Sequence, residues 1–303
     1  MVTPAQVSRR AALWMLTSTV AFGLMAITIR LASSTIATAE IAFFRNAFGL
    51  LALLPLILRP GKPLPRTRQL PQYFARTLIG LASMLCGFWA IGHLPLSQAI
   101  SLSYSTPLFV TVLAVVWLHE QVRLRRWLAV AAGFIGVLVI LRPGSSTFTS
   151  GLLIALLAAV ISAIVAIQIK QLSRSDDSDT VVFYTYVFWV PMSLIPALFQ
   201  WTWPQGIGWV WLVATGIFGT AGQLFWTRAL KLGEVSALQP ISFMQLPLVA
   251  LLGWWLFGEA IERHTLIGAA IIIGANVYIA HRETVLARRA ATHAPVEGAK
   301  PGE

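Results

Sequence analysis

Residues 103–120 read SYSTPLFVTVLAVVWLHE and residues 242–259 read SFMQLPLVALLGWWLFGE. Each opens Ser-aromatic, carries a Pro-Leu pair four or five residues in, runs apolar, and places a Glu seventeen residues after the Ser. The phrase has company. Ile27-Thr28-Ile29-Arg30-Leu31-Ala32-Ser33 matches Ile167-Gln168-Ile169-Lys170-Gln171-Leu172-Ser173 at an offset of 140. Phe43, Phe48 and Pro107 fall on Phe183, Phe188 and Pro247 at the same offset. Glu120 and Glu259 are offset by 139, so one residue slips after the proline, and Phe88-Trp89 falls on Phe225-Trp226 at 137. Apolar sequences match one another easily, but markers near one offset along this much of the chain argue for an internal duplication.

The chain has 303 residues, 57% of them hydrophobic and 11% charged. Soluble domains are nearer ~45–50% apolar and ~25% charged, so the composition points to a bilayer-embedded protein. Apolar segments bounded by charge, Pro or Gly fall at about 11–31, 39–58, 71–91, 96–118, 127–141, 151–171, 180–200, 207–230, 234–257 and 264–281. Read at ~20 residues per helical span, this is an all-α bundle of ten spans, the fifth short. The tail 283–303 is polar, rich in Ala, Pro and Gly, and reads as disordered. The first segment is no signal peptide: its apolar run is too long, and Arg30 interrupts before the cleavage-like Ala37-Thr38-Ala39. The single Cys86 excludes a disulfide framework and any multi-cysteine metal site, and reads as a small packed side chain.

Charge sets the orientation. Of the 22 Lys and Arg, Arg30, Arg45 and Arg76 lie within spans, and Arg142 and Arg263 fall in outer loops. The rest fall in inner loops or the tail if the N-terminus is inside. So one-sided a distribution predicts both termini in the cytoplasm. It also explains the net charge of +11 through the anionic inner leaflet, without nucleic acid as a partner. Ten spans in two copies give five each. An odd number makes the second copy enter the membrane from the opposite side, so the repeat is inverted, a pattern typical of secondary transporters with a mid-membrane site. The halves are placed at 11–142 and 151–282.

These features are similar to the drug/metabolite transporter superfamily, with two EamA-type repeats. The likeness rests on Pro107 and Leu118-His119-Glu120, on Pro247 and Phe257-Gly258-Glu259, on the glycine-containing spans that follow (Gly133 to Val137 and Ile271 to Ala275), and on Arg45 early in the second span. It covers about residues 11–282. His119 departs from it, standing where such repeats usually have the Gly that Gly258 supplies. The resemblance implies a substrate cavity lined largely by the third, fourth, eighth and ninth spans.

Within that frame the candidate substrate-contacting residues are the mid-span polar and aromatic groups Trp89, Ser103, Tyr104, Gln168, Gln223, Trp226, Phe243 and Gln245, all but Gln168 on those spans. A buried amide needs a partner, which another helix or a wet cavity would supply. Pro107 and Pro247 read as helix kinks, serving either packing or a bend beside the cavity. Candidate gate or ion-pair residues are Arg30, Glu40, Arg45, Glu120 and Glu259. Arg30 and Glu40 are placed to pair at the outer face, Glu259 to meet Arg263, and Glu120 to meet Arg123, Arg125 and Arg126 at the inner face. Arg45 lies about two turns below the outer interface, where it snorkels, contacts helix carbonyls or faces the cavity. Arg76 is expected to snorkel. Trp201, Trp203, Trp209 and Trp211 read as an interfacial aromatic belt.

All three Asp lie in one inner loop, and only Glu40 among the Glu lies within a span, near its edge. A proton relay through a deep carboxylate is therefore not expected. No G-x-x-x-x-G-K-[ST] stretch exists for an ATP-driven pump, and His119-Glu120 lacks the second His of a metalloprotease motif. No metal and no cofactor is implied. A membrane-embedded lipid-modifying enzyme and a non-transporting receptor or scaffold remain as alternative classes. The reading is a secondary transporter, not an enzyme, in the cell inner membrane, moving an amino-acid-, nucleobase- or flavin-like metabolite. The alternative substrate is S-adenosylmethionine or another cationic metabolite. Partners are the lipid bilayer, a small molecule and at most a second copy as a homodimer.

Overall fold

The computed structural model describes residues 4–57, 67–119, 124–145, 148–172, 178–232 and 235–292. Among these there are twelve helices and no strand. The first half runs α1 (Pro4–Ala32), α2 (Thr38–Ile57), α3 (Leu70–His93), α4 (Leu96–Ser103), α5 (Thr106–Leu118) and α6 (Leu124–Leu141). The second runs α7 (Ser150–Leu172), α8 (Ser178–Leu198), α9 (Gly208–Leu232), α10 (Val235–Ser242), α11 (Gln245–Phe257) and α12 (Arg263–Thr292). Seven segments are long and apolar enough to cross a membrane, including Leu96–Trp117 and Pro240–Phe257, each of which contains a break. Large apolar side chains point outward, among them Val116, Phe199, Trp255 and Leu13. An apolar exterior of this extent is stable only against lipid.

The helices pair across the halves in exchanged couples: α1 packs on α9 as α7 packs on α3, and α1 touches α11 as α7 touches α5. The couples run antiparallel. On α1 and α9, the Ser18 hydroxyl donates to the Gly222 carbonyl at 2.8 Å and the Thr215 hydroxyl to that of Thr28 at 2.8 Å. On α3 and α7, Ser83 meets Ser162 at 2.6 Å, and Trp89 lies beside Gly151. On α2 and α8, the Asn46 amide donates to Ser193 at 3.2 Å while Tyr186 lies against Gly49. At the other end α6 and α12 close to backbone contact: a Cβ on Gly136 would lie 2.7 Å from the Gly268 carbonyl oxygen. Small residues permit such close approach where lipid gives helices no hydrophobic drive to associate.

Each proline follows a one-turn break in its span. At the first break Tyr104 and Ser105 donate to Ser101 and Leu102, and Leu108 donates to Ser105. At the second, Met244 donates to Ile241 and Leu246 to Phe243. These i to i−3 bonds tighten the chain for one turn. Pro107 is then the second residue of α5 and Pro247 the third of α11, first-turn positions where an amide donor is not needed. The helix starts, breaks and caps of α4–α6 and α10–α12 align at an offset of 139. The displaced pair is therefore the prolines, not the glutamates.

Each long run ends in a left-handed residue, His119 (φ 53°) and Gly258 (φ 65°). Gly258 donates to Trp254, the bond of an αL cap, and Glu259 donates to Gly253. Beyond Arg282 the chain does not leave the helix. α12 continues to Thr292, well into the stretch read as a disordered tail. Ala287, Ala290, Ala291 and the arginines there are strong helix formers, which prolongs a helix already nucleated by packing.

Candidate functional site

The two breaks meet. The Tyr104 ring sits edge-on to Phe243, with centroids 5.0 Å apart, and its hydroxyl donates to the Ser242 carbonyl at 3.3 Å. Asn276 of α12 donates its side-chain amide to the Tyr104 carbonyl at 2.7 Å. Backbone freed by a break is thus served by side chains from the opposite half, which makes it tolerable in a low-dielectric interior. Ser103 is exposed beside the first break, its hydroxyl turned back to Ile100. Gln245 opens α11 and its side chain approaches α1 near Gly23. So Ser103, Tyr104, Phe243 and Gln245 gather at one junction. Met244 and Ile241 also border a groove of about 710 Å³, whose other wall is Arg9, Arg10, Leu13 and Leu16 of α1. Leu13, Leu16 and Met244 are exposed there, so the groove lies on the apolar exterior.

The opposite end is tied shut, though not by the predicted partners. Arg30 pairs with Glu259 at 3.0 Å and also donates to the carbonyls of Ile91 and Gly92. The second Glu259 oxygen accepts the Leu96 backbone N–H at 2.7 Å. Three segments of chain converge on this one carboxylate. Glu40 does not pair with Arg30: it is fully buried, and one of its oxygens accepts the Thr202 amide and hydroxyl. Arg263 is exposed and does not meet Glu259, whose carboxylate turns at the left-handed Gly258 cap toward the start of α4. The tryptophans beyond α8 do more than form a belt. Trp201 and Trp209 pack on Phe44, and Trp203 bridges them, capping the start of α2.

Arg45 neither snorkels nor reaches a carbonyl. It is 7% exposed, with its guanidinium 5.3 Å from the Tyr186 ring centroid and 5.7 Å from that of Trp189. It donates to Asn46 at 3.0 Å, and its Nε has no partner. Arg76 is likewise buried and donates to the Thr185 hydroxyl, so the snorkelling predicted for it is wrong.

The other candidates are dispersed. Trp89 stacks on His93 of its own helix, with centroids 4.3 Å apart, at the α3–α7 seam. Gln168 on α7 has a buried, unpartnered side-chain oxygen. Gln223 is half-buried on α9, and Trp226 is 40% exposed. Cys86 is half-buried rather than packed away. Glu120 and its expected partner Arg123 lie outside the described residues. Arg126 donates to Thr111. The residues missed are Asn46 and Asn276, the only asparagines of the chain. The signal was available, since a mid-span amide must find a partner.

Comparison with known proteins places this geometry. The EamA-like transporter family matches residues 9–142 and again 149–280. A riboflavin transporter of Vibrio cholerae is 31% identical, over 92% of this chain and 96% of that protein. An S-adenosylmethionine uptake transporter of Rickettsia felis is 30% identical, over 80% of this chain and 83% of its own length. A pseudopaline exporter of Pseudomonas aeruginosa is also 30% identical, over 84% and 90%. One solved crystal structure shares the fold at a TM-score of 0.64 and 21% identity, covering 92% of this chain and 98% of the other.

Proposed function

Because the chain belongs to the EamA-like transporter family, we propose that it is a secondary carrier that moves a small organic metabolite by alternating access. Ten spans form two inverted five-span repeats, 11–142 and 151–282, with both termini on the cytoplasmic side of the inner membrane. The tail from 283 lies in the cytoplasm. The observation that carries this reading is the junction of the two broken helices at Tyr104, Ser242 and Phe243. Discontinuous helices in a repeat protein supply unwound backbone near mid-membrane, where carriers of this kind bind their substrates.

The antiparallel pairing of α1 with α9, α2 with α8 and α3 with α7 supports the inversion. Two copies facing the same way would make these pairs parallel. The Arg30–Glu259 tie holds together the end predicted to be outer. The chemistry at the junction is aromatic and amide, so the substrate is read as amino-acid-, nucleobase- or flavin-like. Riboflavin and S-adenosylmethionine, named for relatives near 30% identity, head the compounds to test. No nucleic acid is involved, and a homodimer is compatible with the exposed apolar faces.

Counterflow in liposomes tests the reading. Purified protein preloaded with a pool of unlabelled metabolites is offered labelled riboflavin, S-adenosylmethionine, amino acids and nucleobases one at a time. Accumulation of one label is the expected result. Folded protein that accumulates none, against a broad pool, refutes it. Orientation is tested by single-cysteine labelling in a Cys86→Ala background: loops 59–70 and 171–179 should react from inside and 142–150 from outside.

A further inference from the structure

Two guanidinium groups are buried in this bundle without a carboxylate partner among the described residues. Arg45 and Arg76 are 7% and 6% exposed. They reach α8 within one turn of each other, Arg76 at Thr185 and Arg45 at Tyr186 and Trp189. Each has a buried Nε with no hydrogen-bond partner. Glu40, five residues before Arg45 on α2, is engaged by Thr202 and neutralises neither. Removing one such cation from water costs several kcal/mol unless it is paired, and a second like charge nearby adds to the cost.

What surrounds Arg45 orients it rather than satisfies it. Tyr186 and Trp189 offer ring faces, which hold a guanidinium by its flat side. Asn46 takes one of five N–H donors. Against the remaining edge lies Gly219 of α9, where a Cβ would come within 3.0 Å of Nε. α9 thus presents backbone and no side chain to that edge, and it is the helix packed most closely on α1.

Resting on the carrier reading above, we infer that Arg45 binds an anionic part of the transported substrate, a carboxylate, and that Arg76 one turn away keeps this region positive. The planar fork of a guanidinium matches a carboxylate with two parallel hydrogen bonds, which an ammonium cannot reproduce. The ion pair would form only when substrate is bound and α9 has moved off the Nε edge; the empty site holds the cation on its aromatic faces and on Asn46. The substrate class narrows accordingly, from neutral aromatic compounds to carboxylates and zwitterions such as amino acids and their derivatives.

The test uses the full-length protein in liposomes. Unlabelled amino acids, S-adenosylmethionine, nucleobases and riboflavin are screened in counterflow, and each transported acid is compared with its own carboxamide. The carboxamide should be weaker by about 10- to 100-fold, the range for a charge-assisted hydrogen-bond pair. Arg45→Lys should erase most of that preference. Gly219→Ala should reduce it as well, because it crowds the guanidinium while leaving the charge in place, and it covers the case in which Arg45→Lys does not fold. Transport that is equal for acid and amide, or confined to nucleobases and riboflavin, overturns the inference and leaves the carrier reading standing. An acid preference that survives both variants also overturns it. Absence of flux for every compound refutes the carrier reading, and this inference with it.

Discussion

Glu259→Gln should loosen the Arg30 end of the protein, the end proposed above to be outer. The substitution keeps the side chain's shape and removes its charge. In the wild type, one carboxylate oxygen accepts Arg30 at 3.0 Å and the other accepts the Leu96 N–H at 2.7 Å. The side chains are 22% and 12% exposed, so water screens the pair only in part. Surface pairs contribute about 0–1 kcal/mol, and hydrogen bonds to charged groups about 1.5–3. An intermediate figure of about 1–2 kcal/mol fits this exposure and shifts a two-state equilibrium by about 5- to 30-fold. The reporter is Ala26→Cys in a Cys86→Ala background. Ala26 is one turn below Arg30 on α1 and is 1% exposed, packed with Leu96 and Val249. A membrane-impermeant maleimide added from outside should label it about 5- to 30-fold faster in Glu259→Gln. Adding Arg30→Gln should increase the rate little further, because either change alone breaks the same tie. Labelling that stays at the wild-type rate in Glu259→Gln, with folding intact, would refute the role of this pair in closure.

Three further outcomes follow from the backbone and the helix contacts. Gly258→Ala puts a side chain at φ 65° with nothing nearby to offset it, and should cost about 1 kcal/mol, read as a lower thermal midpoint. The converse change, His119→Gly, relieves a left-handed residue and should raise the midpoint by a smaller step. Gly136→Ala forces α6 away from the Gly268 carbonyl and should destabilise by about 1–3 kcal/mol without altering which substrates are carried. Asn276→Leu strips the donor from the Tyr104 carbonyl and should cost about 1–3 kcal/mol in stability, seen in the same melting assay.

Helix positions were readable because apolar length and charge placement report directly on the bilayer. The pairing of charges was not. Arg30 and Glu40 are close in sequence and end facing helices, yet Arg30 finds Glu259, distant in sequence and brought over at the left-handed cap of α11. Sequence spacing ranks neighbours along one helix and says nothing of which helix end folds over another. The prolines marked where each long run is interrupted, but the form of the interruption, a turn of i to i−3 bonds over residues 101–108, is not legible from a missing amide. Arg45 and Arg76 sat in apolar runs at depths where snorkelling is routine. Whether a long cation escapes to the interface depends on what lies across from it, here Tyr186, Trp189 and Thr185 of the other half. Asn46 and Asn276 were the readable signals left unread.

The junction at Tyr104 also bears on how such a chain can have arisen. Its two ties are unequal: Tyr104 gives a hydroxyl to the second half, and Asn276 gives an amide back. At the matching place in the second half stands Phe243, which has no hydroxyl, and near the place matching Asn276 stand Gly136, Val137 and Leu138, which have no side-chain donor. Two copies of the first half, paired as a dimer, would bring two tyrosine hydroxyls and no asparagine. Two copies of the second would bring two asparagines and no hydroxyl. Neither half could serve as its own mate at this seam, so joining the copies in one gene has let each lose what the other now provides.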